Sequence, residues 1–432
     1  MVNLKGFKAY TLQDEYTSVV PIETNDSMDF LAGKEEVQKG DSFLKIHRPE
    51  FEFDEFMTKD KSNMYQILQK GKNNLSDFIK RGIFKKSEKE IGYLYRQVFE
   101  DKEQCGFLFC VHDDDYINGK ILPHEQTFED RVKRLQKGAD HLGIYNSFPV
   151  TFSECDDYFE DIIKKTKDQQ PLYVLNRNNV QHYLYSFDEV VSKQIIDIFK
   201  NIDHLYIADG HHRFKSYSRE VNKLKESTNR KLLDDFYYYP VLIYQRKKLQ
   251  TYTYHRVVRN IKNISSEVIL EKAKRWFSIK KINLPDDDKS INYKAKLLNL
   301  PKLGKKGKFC IFFPTLKTWY KFKILPFKPN NPIESLDISY LSSHLLMDIL
   351  QISDLKSSNH IEYVPETKRT IDKLEEECCY DKTTNLLIVC PRINLGEVKA
   401  VADQHTCMPP KSTYVYPKPL IGLLFKAFEF FE

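Results

Sequence analysis

The residues with the clearest capacity for chemistry stand in one run, Asp209-Gly210-His211-His212-Arg213. Gly210 permits a sharp turn that a Cβ would obstruct. A helix opening there aims backbone N–H groups, and the positive end of its dipole, at one point, which makes an anion site. Two imidazoles and a guanidinium add donors, and a guanidinium can grip phosphate oxygens through two parallel hydrogen bonds. The plainer reading is a capped turn whose His and Arg side chains make ordinary surface contacts. Zinc suits the run poorly, because adjacent histidine side chains diverge and no matching ligand set accompanies them.

A second run is Ile121-Leu122-Pro123-His124-Glu125-Gln126-Thr127. Pro123 stiffens the approach, and Glu125 falls on a turn ahead of a predicted helix carrying Asp130, Arg131 and Arg134. A carboxylate beside a bound alcohol can accept its proton as a phosphoryl group is transferred. The alternative is a glutamate placed in a first helical turn for the dipole alone. A third run, Met408 to Lys418, sets Lys411, Ser412 and Thr413 after two prolines. That is either a stiff loop with several phosphate-directed donors or a polar loop entering an aromatic strand. The sequence has no GxxxxGK[ST], GxGxxG, HRD or DFG motif, so a kinase built on these residues holds its donor by another device.

These residues need elements to position them. Phe107 to Val111 reads as a buried strand. Glu189 to Lys200 reads as a helix capped by Asp188, with Val190, Val191, Ile195 and Phe199 on one face. Leu205 to Ala208 is a short strand stopped by Asp209-Gly210, after which Phe214 and Tyr217 recur at helical spacing. The turn therefore sits between a strand and a helix. Tyr237 to Tyr244 is a strand that Pro240 assigns to a sheet edge or a break. Ser265 or Ser266 can cap a helix carrying Val268, Ile269, Ala273, Trp276 and Phe277. Residues 285–308, rich in charge, Pro and Gly, read as an exposed excursion. Phe309 to Phe313 and Leu386 to Cys390 are strands of a later domain, with a boundary near residues 256–264.

Composition narrows the class. A chain of 432 residues is long enough for two or three domains, and 41% hydrophobic with 30% charged residues describes a soluble globular protein. The net charge of +6 is spread thinly, unlike the concentrated basic face of a nucleic-acid binder. Eight cysteines include no CxxC pair, and Cys310 and Cys390 lie in apolar runs as core thiols, which fits a reduced, cytoplasmic setting. The N-terminus has no apolar signal region, and no apolar run reaches the ~18 residues of a membrane span.

The three motifs, in this order and at these wide spacings, resemble those of the free-serine kinase family, whose core belongs to the ParB/sulfiredoxin-like superfamily. The family's PHEQ is similar to Pro123–Gln126, its DGHHR to Asp209–Arg213, and its PKST loop to Pro410–Thr413. The chain looks most like the family's long branch, with His47-Arg48-Pro49-Glu50 in an N-terminal extension and a YHRVV segment at Tyr254–Val258.

The resemblance implies an α+β enzyme: a ParB-like domain over residues 1–258, a second α/β domain over 259–432, and an active site in the cleft between them. It implies Glu125 as general base on the hydroxyl of free L-serine, giving O-phospho-L-serine for cysteine and serine metabolism. Gly210, His211, His212 and Arg213 would hold the donor phosphates, and Lys411, Ser412 and Thr413 would close on them. Asp209, His124, Thr127 and Arg131 would place the serine, with Asp209 also a candidate ligand for Mg2+. The donor stays open among inorganic pyrophosphate, ATP and ADP. Pyrophosphate is preferred, since phosphate-directed groups are recognisable and an adenine pocket is not. The rival readings are a ParB-like nucleotide-binding regulator, which should carry a helix-turn-helix and a basic face, and a non-catalytic phosphometabolite sensor. His47–Glu50 reads as a β-edge turn or a further site, and His255-Arg256 as a structural ion pair or a further site.

Overall fold

The computed structural model describes residues 1–23, 28–154, 159–227, 234–282, 306–356 and 358–428. The chain falls into two compact units. The first comprises residues 1–123, 127–249 and 417–432, and the second residues 124–126 and 250–416. The long run of the second unit thus begins at Gln250, and the last residues of the chain return to the first. Strand pairing accounts for this return: Leu424–Ala427 joins both Tyr10–Leu12 and Ile144–Tyr145, and Leu420–Ile421 joins Ile22–Glu23.

The first unit is built on a nine-stranded mixed sheet. Its order is Tyr173–Arg177, Val180–Ser186, Tyr93–Phe99, Lys102–His112, Tyr238–Gln245, Val150–Ser153, Leu205–Asp209 and Ile121–Leu122, with Leu4–Lys5 paired to Lys102–His112. Most pairs are antiparallel; Tyr238–Gln245 runs parallel to Val150–Ser153, and Leu205–Asp209 parallel to Ile121–Leu122. The last two strands carry the first two motifs at their C-terminal ends. Phe107, Phe109, Ile207, Phe214, Tyr217, Val221 and Tyr239 share one buried core.

Tyr238–Gln245 is therefore a central strand, and Pro240 does not mark an edge. Strand N–H groups alternate in direction. That of Leu242 points to the Pro149 carbonyl, so the position of Pro240 faces the same way, where pairing with Val150–Ser153 begins only at Leu242. The missing N–H therefore costs no ladder bond.

The helix Glu189–Phe199 has Asp188 as its cap, accepting from the Val191 N–H at 2.7 Å. Its buried face is Ser192, Ile195 and Phe199, whereas Val190 is 76% exposed: it stands three positions from Lys193 on the solvent side, off the Ile195–Phe199 stripe.

The second unit holds a six-stranded sheet ordered Phe277–Ile282, Thr318–Ile324, Lys308–Phe313, Thr384–Val389, Tyr254–Arg259 and Ile361–Pro365. Every pair is antiparallel among the described residues, so this unit is α+β and lacks the parallel pairing of an α/β domain. Ser265 caps the helix Ser266–Ala273, accepting from Val268 N–H, and Trp276 and Phe277 lie beyond its end. The predicted excursion at 285–308 lies outside the described residues except for Lys306–Lys308, the last of which opens a strand. Cys310 and Cys390 are buried and free, as are Cys105, Cys110 and Cys378.

Two segments left open by the sequence have plain structural roles. His47 ends a short helix and Pro49 opens a 3-10 turn, so the segment is helical and not a β-edge turn. Arg48 pairs with Glu50 and lies over the Phe51 ring. His255-Arg256 is not an ion pair: the His255 Nδ1 accepts from Cys390 N–H, and the Arg256 guanidinium donates to the Tyr254 carbonyl and the Cys390 sulfur. Among the described residues Arg256 has no carboxylate partner.

Candidate active site

The strand Leu205–Asp209 ends at Gly210, and a 17-residue helix runs from His211 to Ser227. Gly210 has φ +92, a conformation that side chains disfavour. A Cβ there would lie 3.0 Å from Pro149 Cα and 3.2 Å from Arg213 Nη1, so one would press on both neighbours. Its carbonyl accepts from Arg213 and Phe214 N–H, which fastens the first helical turn to the glycine. Phe214, Tyr217 and Val221 then hold the helix against the sheet.

At the head of this helix Asp209 Oδ2 accepts from Lys418 Nζ at 2.9 Å, and Arg213 Nη1 lies 3.9 Å from the same oxygen. Burial alone would push the Asp209 carboxyl up, but Lys418 and then Arg213 hold it well below the usual carboxylate range. His211 is 3% exposed, and burial pushes its imidazole down to about 4, with Asp209 opposing and His212 assisting the shift. His211 is therefore a buried, neutral ring near pH 7.

His212 serves a neighbouring helix. Its Nε2 accepts from the Phe128 N–H at 2.9 Å, and the two rings stack at 5.8 Å and 7°. Phe128 precedes the helix Glu129–Leu142 and has no side-chain cap of its own, so His212 supplies an acceptor to an otherwise uncapped start. The two helices are also tied by Arg219 with Glu129 (2.7 Å), Gln136 with Glu220 (3.2 Å) and Lys223 with Asp140 (2.6 Å). Thr127 immediately precedes this helix start, and Arg131 lies half-buried in its first turn.

The second unit unites the His124–Gln126 and Lys411–Thr413 segments. His124 is buried, its carbonyl accepts from Met408 N–H at 2.8 Å, and its Nε2 meets Thr413 Oγ1 at 3.3 Å. Glu125 is half-buried, four residues ahead of the helix and so outside its first turn. Burial, followed by the nearby Glu125 charge, pushes the Cys407 thiol up, which sets Glu125 within electrostatic reach of the segment leading into the loop. Ser412 is buried and donates to the Pro409 carbonyl at 2.6 Å, so its hydroxyl closes the loop on itself. Lys411 is exposed at φ +53, and its ammonium lies 5.5 Å from the Tyr254 ring centre. Tyr252, Tyr254, Tyr414 and Tyr416 form an aromatic group beside it, with Tyr254 and Tyr416 half-buried.

The candidate residues thus form two sets. Asp209, Gly210, His211, His212, Arg213, Thr127 and Arg131 belong to one unit, and His124, Glu125, Lys411, Ser412 and Thr413 to the other. Among the described residues no three His, Cys, Asp or Glu side chains group as a metal site. Asp209 is a single carboxylate that faces two cations of its own chain, Lys418 and Arg213.

A family model described as "Protein of unknown function (DUF1015)" matches residues 4–339. The chain belongs to this family. The matched stretch of this DUF1015 protein contains the His124–Gln126 and Asp209–Arg213 motifs and stops short of Lys411–Thr413 and Lys418. No curated protein matches the sequence. Among solved structures, a free serine kinase in complex with AMP is 13% identical, with a TM-score of 0.34, covering 76% of this chain and 88% of that one. A conserved hypothetical protein from Pyrococcus furiosus is 14% identical, with a TM-score of 0.34, covering 73% and 93%. SbnI with a C-terminal truncation, from Staphylococcus aureus, is 10% identical, with a TM-score of 0.33, covering 72% and 85%. No described helix is long and apolar enough to cross a membrane.

Of the residues at this turn, Lys418 is the least legible in the sequence. It ends the third run, but nothing in its neighbours signals that it meets a carboxylate 209 positions away.

Proposed function

We propose that this DUF1015 protein is a kinase that phosphorylates the hydroxyl of free L-serine to give O-phospho-L-serine. The observation that best supports this is the glycine-opened helix start at Asp209–Arg213, where a buried neutral imidazole and a guanidinium surround a helix N-terminus. Such a start favours an anion through its N–H groups and its dipole, and phosphate is the anion that arginine grips best.

In this reading Glu125 takes the hydroxyl proton as the serine oxygen attacks the terminal phosphorus. The bridging P–O bond of the donor breaks, and its electron pair leaves with the departing phosphate. His211 and Arg213 steady the donor's oxygens, with Lys411 and Thr413 as further donors. His212 and Ser412 act by holding their helix and loop in shape. Asp209, His124, Thr127 and Arg131 place the serine. Inorganic pyrophosphate is the proposed donor. A nucleotide is the second reading, favoured by the half-buried rings of Tyr254 and Tyr416, on which a base could stack.

The test is to incubate the purified chain with L-serine, Mg2+ and, separately, pyrophosphate, ATP and ADP, and to read O-phosphoserine by mass spectrometry. Product with pyrophosphate at the highest kcat/KM supports the whole proposal. Product with a nucleotide at higher kcat/KM moves the donor to the second reading, and no product with any donor removes the kinase.

A further inference from the structure

Lys418 stands between Pro417 and Pro419, in a segment that precedes the short strand Leu420–Ile421. The prolines limit the backbone on both sides of it. Buried side chains grip what remains. Gln97 and Gln104, 1% and 2% exposed, both donate to the Pro417 carbonyl, at 3.4 and 3.2 Å, and Gln97 also donates to the Lys418 carbonyl at 3.1 Å. Gln97 Oε1 accepts in turn from Gln104 (2.9 Å) and from the Tyr244 hydroxyl (3.2 Å). Two residues on, Leu420 N–H donates to the Tyr95 hydroxyl, which meets His182 Nδ1 at 2.6 Å.

Burying polar groups is costly unless they find partners, as the two glutamines and Tyr95 do here, and an ordinary exposed ion pair, at about 0–1 kcal/mol, needs no such frame. The frame directs one ammonium at Asp209. Arg213 stands loosely by the same oxygen, at 3.9 Å against 2.9 Å for Lys418. With the ammonium gone, the nearest cation able to neutralise Asp209 is Arg213, whose guanidinium would then be drawn off any anion at the helix start.

We propose that Lys418 is a positioning residue: it occupies Asp209 so that Arg213 stays available to a phosphate group at the head of the helix His211–Ser227. The inference rests on the reading of this turn as a phosphate cradle and not on the transfer reaction.

Calorimetric titration of the full chain with inorganic pyrophosphate tests it. Lys418→Met should weaken binding by about tenfold or more, the worth of one charge-assisted hydrogen bond, while Lys418→Arg stays within about threefold. The deciding arm is the double variant Lys418→Met with Asp209→Asn. With no carboxylate left to capture Arg213, it should bind within about threefold of Asp209→Asn alone. Thermal melts check that each variant is folded, and Lys418→Arg guards against a loss that merely reflects a damaged frame. Unchanged binding in Lys418→Met, or a double variant whose loss is the product of the two single losses, overturns the inference. If the wild-type chain binds no pyrophosphate, the cradle and the inference fall together. If it binds pyrophosphate but makes no O-phosphoserine, only the kinase falls.

Discussion

His124 and Thr413 are 289 residues apart in sequence and meet at 3.3 Å, Nε2 to Oγ1. The contact joins the segment that bears Glu125 to the loop that bears Lys411, within one compact unit. Thr413→Val keeps the shape and removes the hydroxyl. It is expected to lower kcat/KM by about tenfold through the lost bond, with the melting temperature within a few degrees of wild type. Steady-state kinetics with the best donor checks it; wild-type kinetics would show that this contact only packs the loop.

Glu125→Gln preserves size and removes the proton acceptor. The expected loss is ~10²–10⁴-fold in kcat, the usual contribution of a general base, with the fold intact. Activity within threefold of wild type at unchanged melting would remove Glu125 from the role.

The two adjacent histidines should separate. His212 accepts from the Phe128 N–H, so His212→Ala is expected to cost about 1–2 kcal/mol of stability, seen as a lower urea midpoint. His211→Ala and Arg213→Ala should instead raise KM for the donor and leave KM for serine nearly unchanged. A donor KM that responds to His212→Ala and not to the other two would reverse the assignment.

Gly210→Ala places a Cβ 3.0 Å from the Pro149 backbone at φ +92. Strain of this kind costs on the order of 1–3 kcal/mol. Lower stability together with weaker pyrophosphate binding is expected; an alanine variant as stable as wild type would mean that the turn can relax.

Acid should destabilise the fold. Burial pushes His182 to about 3, and His211 and His255 to about 4, against 6.5 for an exposed imidazole. The unfolded chain therefore binds more protons than the folded one between these values. The stability contributed by the neutral rings is fully present above about pH 6.5 and is lost as pH falls toward 4, at roughly 1.4 kcal/mol per pH unit for each histidine. Melting curves from pH 7 to 4 measure the slope, and His182→Gln should flatten it. A melting temperature constant over this range contradicts neutral burial.

What the sequence determined by itself was local. Gly210 between an apolar strand and residues at helical spacing, Asp188 one residue ahead of its helix and Ser265 ahead of another all act on backbone within a few positions, so neighbouring residue types suffice to reveal them. Motif identity was legible for the same reason, since Pro123–Gln126, Asp209–Arg213 and Pro410–Thr413 are contiguous runs. Tertiary structure alone decided the rest. Pro240 reads as an edge until the strand beside it is seen to begin two residues later. Nothing in its own run shows that His212 accepts from the Phe128 N–H, or that the Ser412 hydroxyl turns back to the Pro409 carbonyl. Lys418 has no meaning in its own segment: its partner is Asp209, and the glutamines that hold it come from two strands over 300 residues earlier. Such pairings arise when sheets bring distant segments within about 3 Å, and a local pattern carries no term for a partner so far along the chain.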